Sequence, residues 1–424
     1  MRWKSLGIRL ALALLLFRVS AVAEQKPLFD STALSGEWGG IRSPGSGITI
    51  ELGYTQEYLG VVSGGIRRTG EYDALASLDL EFDLEKLAGW TGASLHATGF
   101  SIVGSSLSAE AIGDDSNVSN INARNSVRLF ELFLEQNLFA GRASIRAGQL
   151  AVDSEFFGSE IGDIPGGGLF INSDFGVPPI ASFNAPLPIY YIAAPGLRFR
   201  VKPTESTSIQ IGVYDGNPAP DALGEPGPGF IAGRQLNDHG TDFHLAASEG
   251  ALFIGEASVV GKNGSYKLGG YLHSAEFTRW SDDGAISGLW AVYAIGAQQI
   301  WSENATDTQG LYVFARAGFA PPDRARIDWS SDVGVNYVGL VPGRAADICG
   351  LGFSHKHYSR DLSDALERTG ENGVESESIL ELTYQVKLAP CLTVQPDFQY
   401  VFQPGGHAGA SNAAVLGLRV STLF

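Results

Sequence analysis

The sequence predicts an all-β fold: a transmembrane antiparallel β-barrel of about 16 strands, preceded by an N-terminal periplasmic arm. Three observations predict it. Segments alternating strictly between apolar and polar residues recur from end to end. Glycine is abundant, 54 of 424 residues, without the three-residue period of collagen, and 44% of residues are hydrophobic, which argues against disorder. After the first two dozen residues, no run approaches the roughly 18 to 20 apolar residues that a spanning helix needs.

Residues 1–23 have a basic start (Arg2, Lys4, Arg9), an apolar run over 10–17 and small residues at Ala21 and Ala23. This reads as a cleaved secretory signal peptide. The leader holds four basic and no acidic residues, so its removal takes the net charge from −17 to −21. A chain this acidic, with no basic stripe, is not expected to bind nucleic acid. Residues 24–47, including Trp38 between Glu37 and Gly39-Gly40, read as the arm, and residues 48–424 as the barrel. The two cysteines, Cys349 and Cys391, are not expected to pair.

Each strand is justified by its two faces. In "ALASLDLEFDLEKL", Leu78, Leu80, Phe82 and Leu84 alternate with Asp79, Glu81, Asp83 and Glu85, one side suited to hydrocarbon and the other to water. "ILELTYQVKL" and "LTVQPDFQYVF" repeat the arrangement. Seventeen segments qualify: 48–60, 73–87, 92–103, 127–138, 142–153, 196–203, 206–215, 241–248, 251–261, 265–278, 287–301, 309–319, 335–339, 347–358, 376–389, 391–403 and 413–424. Single-chain barrels have even strand numbers, so the short 335–339 is the segment to discount. "FAGR", "KPTES" and "KNGS" supply tight turns. The final "VLGLRVSTLF" reads as the closing strand, with Phe424 as a terminal aromatic that engages the barrel-assembly machinery. A large soluble β-sandwich or secreted carbohydrate-binding protein shares the alternation, but its apolar face would pack a core.

Several phrases carry a resemblance: "SGEWGGIR", "RLFELFLEQNL", "RAGQLAVDSEF", "FINSDFGVPP", "PLPIYYIAAPGLRFRV", "FARAGFAPPDRARID", "GLVPGRAADICGLGF" and "LAPCLTVQPDFQYVFQPGG". Together, from about residue 34 to Phe424, they resemble the carbohydrate-selective porin family, OprB. The resemblance implies a 16-stranded barrel in the outer membrane of a Gram-negative bacterium, surrounded by lipid and lipopolysaccharide, that passes sugars such as glucose by facilitated diffusion. Cys391 stands where the family pattern has tryptophan. The alternatives are a general diffusion porin and an outer-membrane barrel enzyme.

Sugar selectivity needs charged and amide groups for hydroxyls and rings for carbon–hydrogen faces. Placing Phe130, Leu132 and Leu134 toward lipid turns Glu131 and Glu135 into the lumen; the opposite register would leave two carboxylates in hydrocarbon. By the same rule Arg146, and Arg198, Arg200 and Lys202 as a basic ladder, face inward. Acidic and basic ladders on different strands would set up a transverse field. The Gly/Pro/Asn-rich segment 154–195 is too long for an ordinary connection and is expected to fold inward. It brings Glu155, Glu160, Asp163, Asn172, Asp174 and Asn184, with Phe170, Phe175 and Tyr190. Asp153, Glu155, Asn172 and Asp174 join Glu131, Glu135, Arg146, Arg198 and Arg200 as candidate sugar-binding or constriction residues. No catalytic residue, metal or cofactor is expected: G-x-S-x-G is absent, His355 and His357 lack a third ligand, and the acidic "SDDG" and "GDDSN" are expected to be solvated loop tips.

Overall fold

The computed structural model describes residues 46–218, 237–243, 245–303 and 308–424. The expected signal peptide (1–23), and the arm apart from its last two residues, including Trp38, lie outside the described residues.

Sixteen strands close into one antiparallel barrel in which every strand pairs with its sequence neighbours and β1 pairs with β16. They are β1 (Ile48–Gly64), β2 (Gly70–Asp83), β3 (Ala93–Val103), β4 (Ser126–Leu138), β5 (Ala143–Leu150), β6 (Ala194–Thr204), β7 (Thr207–Asp215) and β8 (Ala251–Val260). The second half comprises β9 (Gly264–Thr278), β10 (Ala285–Ser302), β11 (Gly310–Phe319), β12 (Ile327–Val338), β13 (Ile348–Tyr358), β14 (Ser376–Ala389), β15 (Leu392–Phe402) and β16 (Ala413–Leu423). Closure gives every strand edge a partner, as a β structure in lipid requires. At the seam, Phe424 donates from its backbone to Leu52 at 3.0 Å and accepts from it at 2.9 Å.

The strand count agrees with the sequence, but the discounted segment was the wrong one. Residues 335–338 are the end of a full strand, β12, whose earlier part, "IDWSSD", hides its alternation because a polar residue, Ser331, takes an outward position; the pairing shifts only at its start, between Ile327 and Trp329. The described residues of 241–248 form no strand and belong to the connection between β7 and β8.

Outward positions carry the apolar side chains. Phe199, Ile211, Phe253, Leu272, Trp290, Val333, Leu351, Leu382 and Leu416 are all exposed, which in a membrane means facing lipid. The long connections 104–125, 151–193 and 359–375 all lie at one end, which assigns that end as extracellular and the other as periplasmic. Trp301 and Tyr337 lie at the periplasmic end with ring centroids 5.9 Å apart and planes tilted by 39°, as an interfacial girdle requires.

The lumen is unequally filled. The extracellular connections 104–125 and 151–193 fold inward and pack on the inner wall of the barrel. One apolar cluster joins Phe170, Ile171 and Phe175 to Phe314, Ile348, Ile379 and Val401. A second joins Phe157, Ile180 and Leu187 to Tyr214, Ile254, Tyr293 and Ile295. Inward glycines make room for the inserted rings. A Cβ on Gly352 would stand 2.8 Å from the Phe175 ring and 2.9 Å from Phe170, and one on Gly350 would stand 2.6 Å from Leu169. By contrast, inward Glu51, Thr55, Ser77, Asp79 and His96 on β1–β3 stay half-exposed. The inward side chains left half-exposed therefore include those of β1–β3.

Candidate functional site

Register places the charged residues of β4–β6 side by side. Glu135 pairs with Arg146, and Arg146 with Arg198, so an acid and two bases stand in one row across three strands. One row below, Ser144 is opposite Arg200. Neighbouring side chains on one face of a sheet lie roughly 5 Å apart, so the basic residues would repel one another without a counter-charge. The inserted loop supplies it: Glu155 reaches back over the row.

Arg198 is fully buried and forms the spine of the cluster. Its Nε and Nη2 donate to the two Glu155 oxygens, each at 2.6 Å, its Nη2 to Glu135 at 3.2 Å and its Nη1 to Ser144 Oγ at 2.6 Å. The two parallel bonds to one carboxylate match the guanidinium fork. Arg146 donates to Glu135 at 2.9 Å, approaches Glu155 at 3.4 Å and lies over the Phe133 ring at 4.6 Å. Phe133 in turn stacks on His96, centroid to centroid 4.8 Å. Arg200 is only loosely held, 3.5 Å from Glu135 and 3.7 Å from Glu155, and its side chain is 28% exposed. Three guanidinium groups share two carboxylates, which leaves one positive charge and unspent donors on the lumen side.

The other candidates fall elsewhere. Glu131 faces inward but is turned toward the loop, accepting from Ala151 N at 2.8 Å and Ser154 Oγ at 3.1 Å. Asp153 accepts from Tyr190 N at 2.9 Å, tying one end of the loop to the other. Asn172 and Asp174 are buried against the far wall. Asn172 accepts through its side chain from Asp174 N and donates to Gln399 at 3.0 Å, while Asp174 faces Lys356 at 3.1 Å. Glu135, Arg146, Glu155, Arg198 and Arg200 thus come together, with Glu131 and Asp153 beside the loop root and Asn172 and Asp174 across the barrel.

Two expectations are corrected. Phe130 does not face lipid. A bulge in β4 skips it in the pairing with β3, and it is buried against Phe100, 4.6 Å between ring centroids. The extra residue leaves both Phe130 and Glu131 on the inner side. The "GDDSN" cluster is not a solvated tip: Asp114 and Ser116 are buried, the Ser116 N–H donates to Glu377 at 2.9 Å, and Asp115 pairs with Arg326. Its acidity is matched by Lys356 and Arg326, which lie far away in sequence.

Sequence reasoning missed the residues that hold the loop: Arg316, Asp332, Lys356, Glu377 and Glu381. Their signal was present, since each is polar at an inward position of an alternating strand, but nothing local marked them apart from other inward polar residues. His355 and His357 lie beside Trp329, with ring separations of 4.8 and 5.8 Å. Among the described residues no group of three potential ligands could hold a metal.

A closed 16-stranded barrel with lipid-facing apolar side chains, its long connections at one end and a loop folded into a charged lumen defines an outer-membrane channel of the porin class. The chain belongs to the carbohydrate-selective porin, OprB family, whose model matches residues 67–424. It is 28% identical to Porin B of Pseudomonas aeruginosa over 99% of this chain and 98% of that one. It is 21% identical to the putative porin QuiX of Acinetobacter baylyi, covering 93% and 94% of the two chains. Among solved structures, the high-pH structure of Pseudomonas putida OprB superposes with a TM-score of 0.80 at 24% identity, over 93% of this chain and 99% of that one.

Proposed function

We propose that this porin passes glucose-sized sugars by facilitated diffusion, and that Glu135, Arg146, Glu155, Arg198 and Arg200 form its selective constriction. The observation that carries the reading is the unequal grip on the three arginines. Arg198 is consumed by its counter-ions, whereas Arg146 and Arg200, with side chains 19% and 28% exposed, keep donors for a passing solute. A sugar offers hydroxyl acceptors all round its ring, so it can exchange water for these donors at little net cost. Weak, multiple contacts of this kind admit a solute without trapping it. Asp79 and Glu81, inward on β2, lie a few strands away and give the passage its acidic side. A neutral solute with many dipoles crosses that transverse field more readily than an ion attracted to one wall.

The reading makes the chain a channel with no catalytic step. It also takes the chain to be exported through a cleaved leader at 1–23, with residues 24–47 as a periplasmic arm, and assembled through recognition of the strand ending at Phe424, in a bilayer of lipid and lipopolysaccharide. Liposome swelling tests it. Reconstituted protein should admit glucose faster than a charged solute of the same size, and equal rates would make it a general diffusion porin instead.

A further inference from the structure

We propose that Arg316 is a positioning residue that sets the width of the passage by gripping the backbone of the inserted loop. The proposal rests on the reading that this loop borders the passage.

Arg316 points inward from β11 and is 3% exposed. Its cross-strand partner on β12 is Asp332. The Nε donates to both oxygens of that carboxylate, at 2.8 and 3.0 Å, which orients the guanidinium plane. The two terminal nitrogens are then aimed at loop carbonyls. Nη1 donates to the Gly176 and Phe157 oxygens at 3.0 and 3.3 Å, and Nη2 to the Phe175 and Asp174 oxygens at 2.7 and 2.9 Å. One side chain thereby joins two parts of the loop that lie far apart in sequence and draws both to the wall away from the arginine cluster. The carbonyls of 174–176 belong to the short helical turn Ser173–Gly176, whose last oxygens have no partner within the helix. On the amide side of the same stretch, Glu381 accepts from Ile171 N at 2.6 Å and from Asn172 N at 3.0 Å. A guanidinium holds the carbonyls and a carboxyl group holds the amides, so the wall fixes the loop through its backbone as well as through its side chains.

The geometry needs a planar fork. A lysine at 316 keeps the charge opposite Asp332 but, as a compact ammonium with three donors, cannot hold the carboxylate and four carbonyls together. If Arg316 served only as the partner of Asp332, lysine would suffice.

The test compares single-channel currents and liposome swelling of Arg316→Lys and of the double variant Arg316→Gln/Asp332→Asn, which strands no buried charge. In both, the current is expected to flicker between sublevels instead of holding one level. Glucose discrimination against a size-matched charged solute should fall at least threefold, with the heat-modifiability of the folded barrel retained. A steady wild-type current and unchanged discrimination in Arg316→Lys would overturn the proposal, and that variant decides alone if the double variant does not assemble. Gly176→Trp checks the premise separately. A side chain there meets nothing within 4 Å and Gly176 is exposed, so the ring should project into the passage and at least halve the current. Unchanged current in Gly176→Trp would show that the loop does not border the passage and would remove the premise, whatever Arg316 does.

Discussion

Replacing Arg200 with alanine should weaken sugar binding while leaving the barrel intact, and the reverse should hold for Arg198. The Arg200 contacts, at 3.5 and 3.7 Å from their carboxylates on a side chain 28% exposed, are too long for strong hydrogen bonds. Such partly solvated pairs contribute about 1 kcal/mol or less, so Arg200→Ala should cost folding no more than that. A hydrogen bond from a charged donor to a sugar hydroxyl contributes about 1.5–3 kcal/mol. Water in the lumen competes for it, so the lower figure applies, and about 1.4 kcal/mol is tenfold in affinity. Half-saturation of the glucose-induced block of single-channel current should therefore rise roughly tenfold in Arg200→Ala. Arg198→Met removes a fully buried partner that makes two 2.6 Å bonds to Glu155. Breaking a buried pair costs about 3–5 kcal/mol, and because Arg146 still faces both carboxylates the lower end is expected. That variant should lower the temperature at which the folded, heat-modifiable form is lost. Wild-type glucose block in Arg200→Ala would refute the assignment of Arg200 as a solute-facing donor. An unchanged melting temperature in Arg198→Met would refute the assignment of Arg198 as the spine.

Other consequences follow from the packing and the seam. Gly352→Val places carbon where the Phe170 and Phe175 rings sit less than 3 Å from a Cβ, so the loop should be displaced and larger oligosaccharides should enter in swelling assays. Deleting Phe424 removes both backbone bonds to Leu52 and the aromatic terminus, and the yield of heat-modifiable barrel should fall. In the periplasmic turn before β13, burial pushes the Asp347 carboxyl up, but hydrogen bonds from Arg344, Lys387 N and Tyr384 outweigh it and hold the pKa below its usual value. A depressed carboxylate stabilises the fold above its unfolded pKa, about 3.9, and loses that contribution as the pH falls through the lower folded value. Asp347→Asn should therefore melt lower than wild type at about pH 7, with the gap closing below about pH 4.

Much of the barrel was legible because alternation is enforced at every position: a one-residue slip would turn an entire face of charges into lipid. That rule fixed the inward side of β4, β5 and β6 and with it Glu135, Arg146, Arg198 and Arg200. It failed where the backbone departs from the pleat or a polar residue takes an outward position. The bulge at Phe130 reversed one residue, and outward Ser331 in β12 disguised a whole strand as the fragment 335–339. The inward course of 154–195 was legible from its length and composition. Where it docks was not, because docking is decided by single residues distant in sequence: Arg316 and Glu381 reading its backbone, and Gly350 and Gly352 vacating space for its rings. The same gap explains Asn172 and Asp174, whose polarity suggested solute contact and whose hydrogen bonds are spent on the wall. Glycine abundance in part records these seats.

The central claim is that the lumen selects neutral sugars. The most direct measurement is the initial swelling rate of liposomes carrying the purified, refolded protein in glucose, set against that in a charged solute of equal size. Faster entry of glucose is predicted, with Arg200→Ala narrowing the difference. Equal entry of the two solutes by the wild-type protein would contradict the account.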